Sequence, residues 1–395
     1  MAAGAVLTAG PPAPMPAPAV TRVALTDFRN YAGLRLDATG GPIVLTGPNG
    51  AGKTNLLEAL SFLAPGRGLR RARLGDIDRH AGDGPWAVAA TIAGADGGTE
   101  VGTGRLPAEN GGRERRAVRI DGRDGSGQAA LAEIAALVWL TPDMDRLLQE
   151  GASGRRRFLD RLIYGFDPSH AGHVAAYEHA MRERSRLLRL GGTDESWLTA
   201  LEQTMAEKGV AIAAARRDLA ARLDGAGELC VGRFPRARIA ASGTVEDWLG
   251  DGPALDAEDR FRAALGVARA DDAAAGMTSV GPHRSDMVVH HGETGLPAAQ
   301  CSTGQQKALL LSIVIANARL LSLDRGAPPI LLLDEVVAHL DEGRRHALFE
   351  EILALGAQAW LTGTDLDPFL DLAGDAAFLA VGDGAVNTVE PRSPS

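Results

Sequence analysis

Apolar and polar residues alternate in short runs at the start of the chain. Arg22–Thr26, Leu34–Asp37 and Ile43–Thr46 read as strands, the last a nearly solid apolar run. A glycine-rich turn follows it, and helical periodicity then runs from about Lys53 to Leu63. Alternation returns at Trp86–Ile92, Thr99–Arg105 and Ala117–Ile120, separated by Gly/Asp turns, and predicts an antiparallel sheet. Beyond Pro142 the period changes. Leu147 to about Ala226 and Ala257–Ala270 carry apolar positions at helical spacing with few strand signals. Strand patterning resumes near Val280, followed by a helix over Gln305–Leu321 and a buried strand at Ile330–Leu333. A helix over Glu342–Leu355 and a strand at Ala357–Leu361 complete the pattern. The expected fold is an α/β head split in sequence, residues 20–140 and 276–385, by a mainly helical inserted domain at 141–275. Residues 1–19, rich in Ala, Gly and Pro, have no apolar pattern to bury and read as a disordered leader. Residues 386–395 read as a flexible tail.

Composition narrows the class. Of 395 residues 45% are hydrophobic and 23% charged, enough apolar content for a sizeable core, which excludes collagen-like and disordered chains. Two cysteines, Cys230 and Cys301, cannot build a disulfide framework, and a cytoplasmic location is expected. The longest apolar run, Ala308 to Leu323, is interrupted by Asn317 and Arg319 and falls short of a span, so no membrane partner is expected.

The net charge of −9 hides an asymmetry: residues 1–190 sum to +4 and residues 191–395 to −13. Of the 41 basic side chains only Lys53, Lys208 and Lys307 are lysine, and 38 are arginine. An arginine is therefore weak evidence for nucleic acid here, whereas a lysine marks a place that needs an ammonium. Arginines cluster at 67–73, 113–119 and 155–157. Arg70, Arg71, Arg73, Arg115 and Arg116 are the candidates for DNA phosphates, each with a plain alternative as a solvated surface residue.

The strongest chemical signal is Gly47-Pro48-Asn49-Gly50-Ala51-Gly52-Lys53-Thr54, a strand–loop–helix phosphate-binding pattern. Its glycines let the backbone wrap a phosphate, Lys53 can reach the β- and γ-phosphates of ATP, and the Thr54 hydroxyl can bind Mg²⁺. A second element, Ile330-Leu-Leu-Leu-Asp334-Glu335, ends a buried strand in two carboxylates. Asp334 is placed to hold Mg²⁺ and Glu335 to act as general base. A third, Ser302-Thr-Gly304-Gln305-Gln306, opens a long apolar helix and offers either an anion site or a simple N-cap. The order of the three elements is that of ABC-type ATPases, which bind ATP between two subunits.

The resemblance then becomes specific. Phe28-Arg29-Asn30-Tyr31, Leu140-Thr-Pro-Asp-Met144, Gly154-Arg-Arg-Arg-Phe-Leu-Asp160, Gly281-Pro-His-Arg-Ser-Asp286 and Leu340-Asp341-Glu-Gly-Arg-Arg345 together resemble the RecF family, short relatives of SMC heads. The likeness spans roughly Thr21 to Asp367. It implies an ABC-type (SMC/RecF-like) P-loop ATPase head and an ATP-dependent homodimer that binds DNA. It also implies work with RecO and RecR in recombinase loading, replication restart and SOS induction. Arg29, Asn30 and Asp341 join the ATP-binding set through the resemblance. The chain departs from the pattern at Ala338, where such ATPases have serine, and at Thr362-Gly-Thr-Asp365, where a switch histidine is expected. These departures imply slow hydrolysis, or, as the alternative, a nucleotide-gated scaffold with negligible turnover. A transporter subunit would carry its Ser-x-Gly-Gln element far closer to the phosphate loop, and an SMC tether would need long heptad runs.

Overall fold

The computed structural model describes residues 17–82, 84–94, 97–107, 114–125, 127–191, 194–228, 234–338 and 340–391. Residues 1–16 of the expected leader, together with Cys230 and His339, lie outside them. The leader boundary moves nonetheless: Ala19 is already buried in β1 (Ala19–Phe28).

β1 pairs with β2 (Tyr31–Asp37), and β3 (Ile43–Thr46) leads through the glycine-rich loop into α1 (Lys53–Ser61). β4 (Ala87–Gly94), β5 (Gly97–Leu106), β6 (Arg115–Ile120) and the short β7 (Arg123–Asp124) complete an antiparallel sheet ordered β2-β1-β4-β5-β6-β7. After α2 (Leu131–Ile134), β8 (Leu137–Leu140) enters a second sheet. Helices follow: α3 (Ala152–Ile163), α4 (His170–Arg189) and the long α5 (Glu195–Glu228). β9 (Ala237–Ser242), α6 (Thr244–Asp251), α7 (Ala254–Val267), α8 (Arg269–Ala275) and β10 (Asp286–His291) come next. The chain then builds α9 (Thr303–Arg325), β11 (Ile330–Leu333), α10 (Glu342–Leu355), β12 (Ala359–Gly363), β13 (Ala377–Gly382) and β14 (Ala385–Thr388).

The second sheet runs β14-β13-β3-β12-β11-β8, parallel except for the β14 edge. Its central strands β3 and β11 bury every side chain on both faces, which explains their near-continuous apolar runs. On β11, Ile330 and Leu332 face one core with α1 and the antiparallel sheet, while Leu331 and Leu333 face another with α9 and α10. Buried Gln358 ties the two sheets together: its amide donates to the carbonyls of Val20 (2.9 Å) and Thr39 (2.6 Å) and accepts from the Val20 N–H (2.8 Å).

The helical segment has its own cluster, built on Tyr177, Met205, Val210, Val245 and Phe261. Position 141 is not a core boundary, however. Phe158 and Leu159 of α3 and Leu219 and Leu223 of α5 pack in the α9 core of the head. β10, expected to belong with the head's second half, pairs with β9 in a small antiparallel ribbon. The tail begins later than expected, since β14 runs to Thr388. β8, β9, α6, β13 and β14 had no distinct sequence signal, being segments of four to eight residues whose state depends on their neighbours. Helix α9 alone among the described helices is long and apolar enough to cross a membrane, and most of it is buried inside the protein.

Candidate functional site

Parallel register decides what meets at the carboxyl ends of the second sheet. Gly363 of β12 pairs with Thr46 of β3, and Leu361 pairs with Leu333 of β11. The loop after β3, the carboxylates after β11 and the end of β12 therefore share one rim, the place where open α/β sheets bind ligands.

The loop is locked from behind and open in front. A Cβ at Gly47 (φ 145°) would stand 2.2 Å from the Val381 carbonyl oxygen, and one at Gly52 (φ 114°) 2.6 Å from Asn30 Nδ2. Both sites need glycine's freedom and its missing side chain. Asn30 Nδ2 donates to the Ala51 carbonyl (3.2 Å) and Tyr31 OH to the Gly52 carbonyl (3.1 Å), bracing the loop from below. Pro48, Asn49 and Gly50 form an exposed rim. Lys53 is buried, and its Nζ donates to the carbonyls of Gly47 (2.6 Å) and Pro48 (3.0 Å). Burial pulls this ammonium below its ordinary range, against the opposing pull of Glu335, Asp334 and Asp365.

Beside it, Thr54 Oγ1 donates to Asp334 Oδ1 at 3.0 Å, and Thr362 Oγ1 donates to the same oxygen at 2.8 Å. Burial pushes the Asp334 carboxyl up, and the two hydroxyls pull it back part of the way. The Glu335 N–H donates to Thr362 Oγ1 at 2.8 Å, so one threonine links both carboxylate residues. The donor set fits a magnesium nucleotide: an open backbone cradle, a buried ammonium held on two loop carbonyls, and a hydroxyl against a buried carboxylate.

Ser302 caps α9. Its Oγ accepts from the Gln305 N–H (3.3 Å), and Gln305 Oε1 accepts from the Ser302 N–H (3.0 Å), a reciprocal capping box. The Gln305 amide is thus occupied by the cap, and Gly304 sits in the first turn. Asp341 caps α10 by accepting from the Arg344 N–H (2.8 Å).

The arginines divide in a way spacing could not show. Arg29, expected at the nucleotide, and Arg70, expected on DNA, converge on buried Glu58 of α1. Arg29 holds both carboxylate oxygens (2.7 and 2.8 Å), and Arg70 NH1 reaches Glu58 Oε2 (2.9 Å) and Asn55 Oδ1 (2.6 Å). Arg116 leaves the DNA set. It turns inward, donating to the carbonyls of Phe62, Ala64 and Gly66 and stacking on the Phe62 ring. Arg71, Arg73 and Arg115 are exposed. Arg73 and Arg115 line an open groove of about 980 Å³ with Arg67. The 155–157 cluster divides: Arg155 makes a bidentate pair with Asp286 and Arg156 donates to the Ser285 carbonyl, whereas Arg157 is exposed and donates to Ser153 Oγ (2.6 Å). Tyr31, Asn55 and Thr362 were missed as site residues. Tyr31 and Thr362 lay in segments already singled out, but neither hydroxyl carries a spacing signal.

A family model described as RecF/RecN/SMC N terminal domain matches residues 19–363. The chain is 50% identical over 375 residues to the DNA replication and repair protein RecF of Mesorhizobium japonicum, covering 94% of this chain and 98% of that protein. It is 48% identical over 375 residues to the same protein of Brucella suis biovar 1, covering 94% and 96%. In fold it is similar to the recombination mediator protein RecF-ATPrS in the RecFOR pathway (TM-score 0.82, 21% identity, 94% and 98% covered). It is also similar to an Smc head domain derived from Pyrococcus furiosus (TM-score 0.52, 15% identity, 94% and 96% covered). The phosphate loop, the paired carboxylates and the split α/β head thus have one common explanation: the chain belongs to the RecF family of DNA replication and repair proteins, built on the ABC-type head shared with SMC proteins.

Proposed function

We propose that this chain binds ATP and Mg²⁺ on the Gly47–Thr54 loop and dimerises on ATP, each loop facing Ser302 of the other copy. In that closed state it holds DNA. The observation that carries the reading is the Thr54–Asp334–Thr362–Glu335 hydrogen-bond chain beside an open phosphate cradle. Lys53 is the group for the β- and γ-phosphates, and Thr54 and Asp334 are the groups for Mg²⁺, which would offset phosphate charge. Glu335 is the base that polarises water. Ser302, Gly304 and the N-terminus of α9 offer an anion site to the partner's nucleotide, with Asp341 nearby in sequence order. Arg29 and Asn30 act from behind the loop, as braces of α1 and Ala51 rather than as direct ligands. Arg71, Arg73 and Arg115 are the DNA candidates, with Arg67 extending their groove.

Hydrolysis is slow in this reading, because Thr362-Gly-Thr-Asp365 brings no histidine and the Thr362 hydroxyl is already shared by Asp334 and Glu335. The same observation favours the second reading, a nucleotide-gated scaffold with negligible turnover. Phosphate release measured with and without DNA separates the two. In the cell, family membership supports a cytoplasmic role with RecO and RecR in loading recombinase, restarting replication and inducing the SOS response. Glu335→Gln tests the gate: it should accumulate an ATP-bound dimer by light scattering and release DNA more slowly than wild type. A protein that stays monomeric with ATP and Mg²⁺ rejects the proposal.

A further inference from the structure

Two of the three lysines in this arginine-rich chain are buried at the site, and only Lys53 has a role so far. Lys307 stands on α9, five residues after Ser302, about 7.5 Å along the helix axis. Its Nζ donates to the backbone carbonyl of Glu335 at 3.1 Å and meets Asp145 Oδ2 at 3.4 Å. Asp145 lies in the 3₁₀ turn Pro142–Arg146 that leaves β8. Glu335 itself has φ 47°, a left-handed conformation that non-glycine residues hold only where their surroundings enforce it. Both of its backbone polar groups are held. Thr362 of β12 takes the N–H, and Lys307 of α9 shares the carbonyl with the Ala338 N–H (3.2 Å), so Lys307 is the contact that reaches Glu335 from another element on that side.

We infer that Lys307 is a positioning residue, which holds the strained Glu335 backbone from the signature helix and couples Ser302 to the base. This rests on the reading of Glu335 as general base. The capping box makes the first turn of α9 stiff, so a displacement at Ser302 arrives at Lys307 as a displacement of Glu335. Lysine suits the role because a compact ammonium can meet one carbonyl and one carboxylate in a buried cleft, where a planar guanidinium would need more room.

The test is single-turnover ATP hydrolysis by the full chain in excess, alongside ATP affinity. Lys307→Met should leave affinity within about threefold and slow hydrolysis about tenfold to a hundredfold, the cost of misplacing a catalytic group by an ångström. Lys307→Gln, the milder second variant, should be slowed in the same direction. The double variant Lys307→Met, Glu335→Gln should be no slower than Glu335→Gln alone, because both act through one group. Hydrolysis by Lys307→Met within twofold of wild type, with Glu335→Gln slow, overturns the coupling and leaves the base assignment standing. Additive losses, or loss of ATP affinity in both Lys307 variants, make Lys307 a structural support and also overturn it. Wild type no faster than Glu335→Gln rejects the base assignment, and this inference with it.

Discussion

At the residue scale, Lys53 illustrates how a coding bias can be informative. The chain uses arginine for 38 of its 41 cations, yet it keeps lysine where the side chain is buried against two loop carbonyls. A guanidinium is larger and planar, and it cannot occupy a space shaped for an ammonium between loop and phosphates. Lys53→Arg should therefore lower phosphate release at saturating ATP to about a hundredth of wild type or less, despite the conserved charge. Hydrolysis within a few-fold of wild type would show that charge alone is required. The loop motif made Lys53 and Thr54 legible before any coordinates. Thr362 was not legible, because its hydroxyl matters only where β12 and β11 are in register and Asp334 lies beside it.

At the element scale, β6 separates two neighbours that charge counting treats alike. Successive residues on a strand face opposite sides. Arg115 is exposed, whereas the Arg116 guanidinium is spent on carbonyls of the turn after α1 and on Thr103 Oγ1 (2.8 Å). Burial pulls its pKa to about 10. Arg116→Ala should destabilise the protein by about 2–4 kcal/mol, because it strands buried acceptors, and should lower the melting temperature without a specific loss of DNA affinity. Arg73→Ala and Arg115→Ala should do the reverse. Each should leave melting unchanged and reduce the slope of log affinity against log salt by about one. Two family motifs behave similarly to Arg116. Asp160 takes a bidentate pair from Arg216, whose NH1 donates to the Pro282 carbonyl, and His283 is tied to Tyr177 and Thr278. These contacts tie α3, α4 and α5 to the turn that precedes β10.

At the scale of the whole molecule, the shared-site proposal makes a quantitative claim. Lys53→Ala damages the loop half of each composite site and Ser302→Arg the signature half, so each homodimer should be inactive. In a mixed dimer both lesions fall on one site, and the other is built from an intact loop and an intact signature. Equal amounts pairing at random put about half of the dimers in the mixed form, so steady-state hydrolysis should recover to roughly a quarter of wild type if the sites act independently. No recovery on mixing, together with failure of Ser302→Arg to bind ATP at all, would place Ser302 in its own subunit's site.

Sequence alone determined the local chemistry and the element types. A strand, a glycine-rich turn and a helix are written in adjacent residues, so the phosphate loop could be read. So could Ile330–Glu335, where four buried apolar residues run into two acids. The helical segment announced itself by its change of period. What only the tertiary structure decided was every relation between distant residues. Glu58 gathered Arg29 and Arg70 from the separate ligands expected for them, β9 captured β10, and α5 carried the helical segment's core into the head. Thr362 and Lys307 closed on Glu335 from two elements that the chain order keeps apart. The physical reason is the same in each case: periodicity and propensity act over a few residues, whereas a buried charge or an unpaired backbone group takes its partner from whatever the fold brings within hydrogen-bond reach.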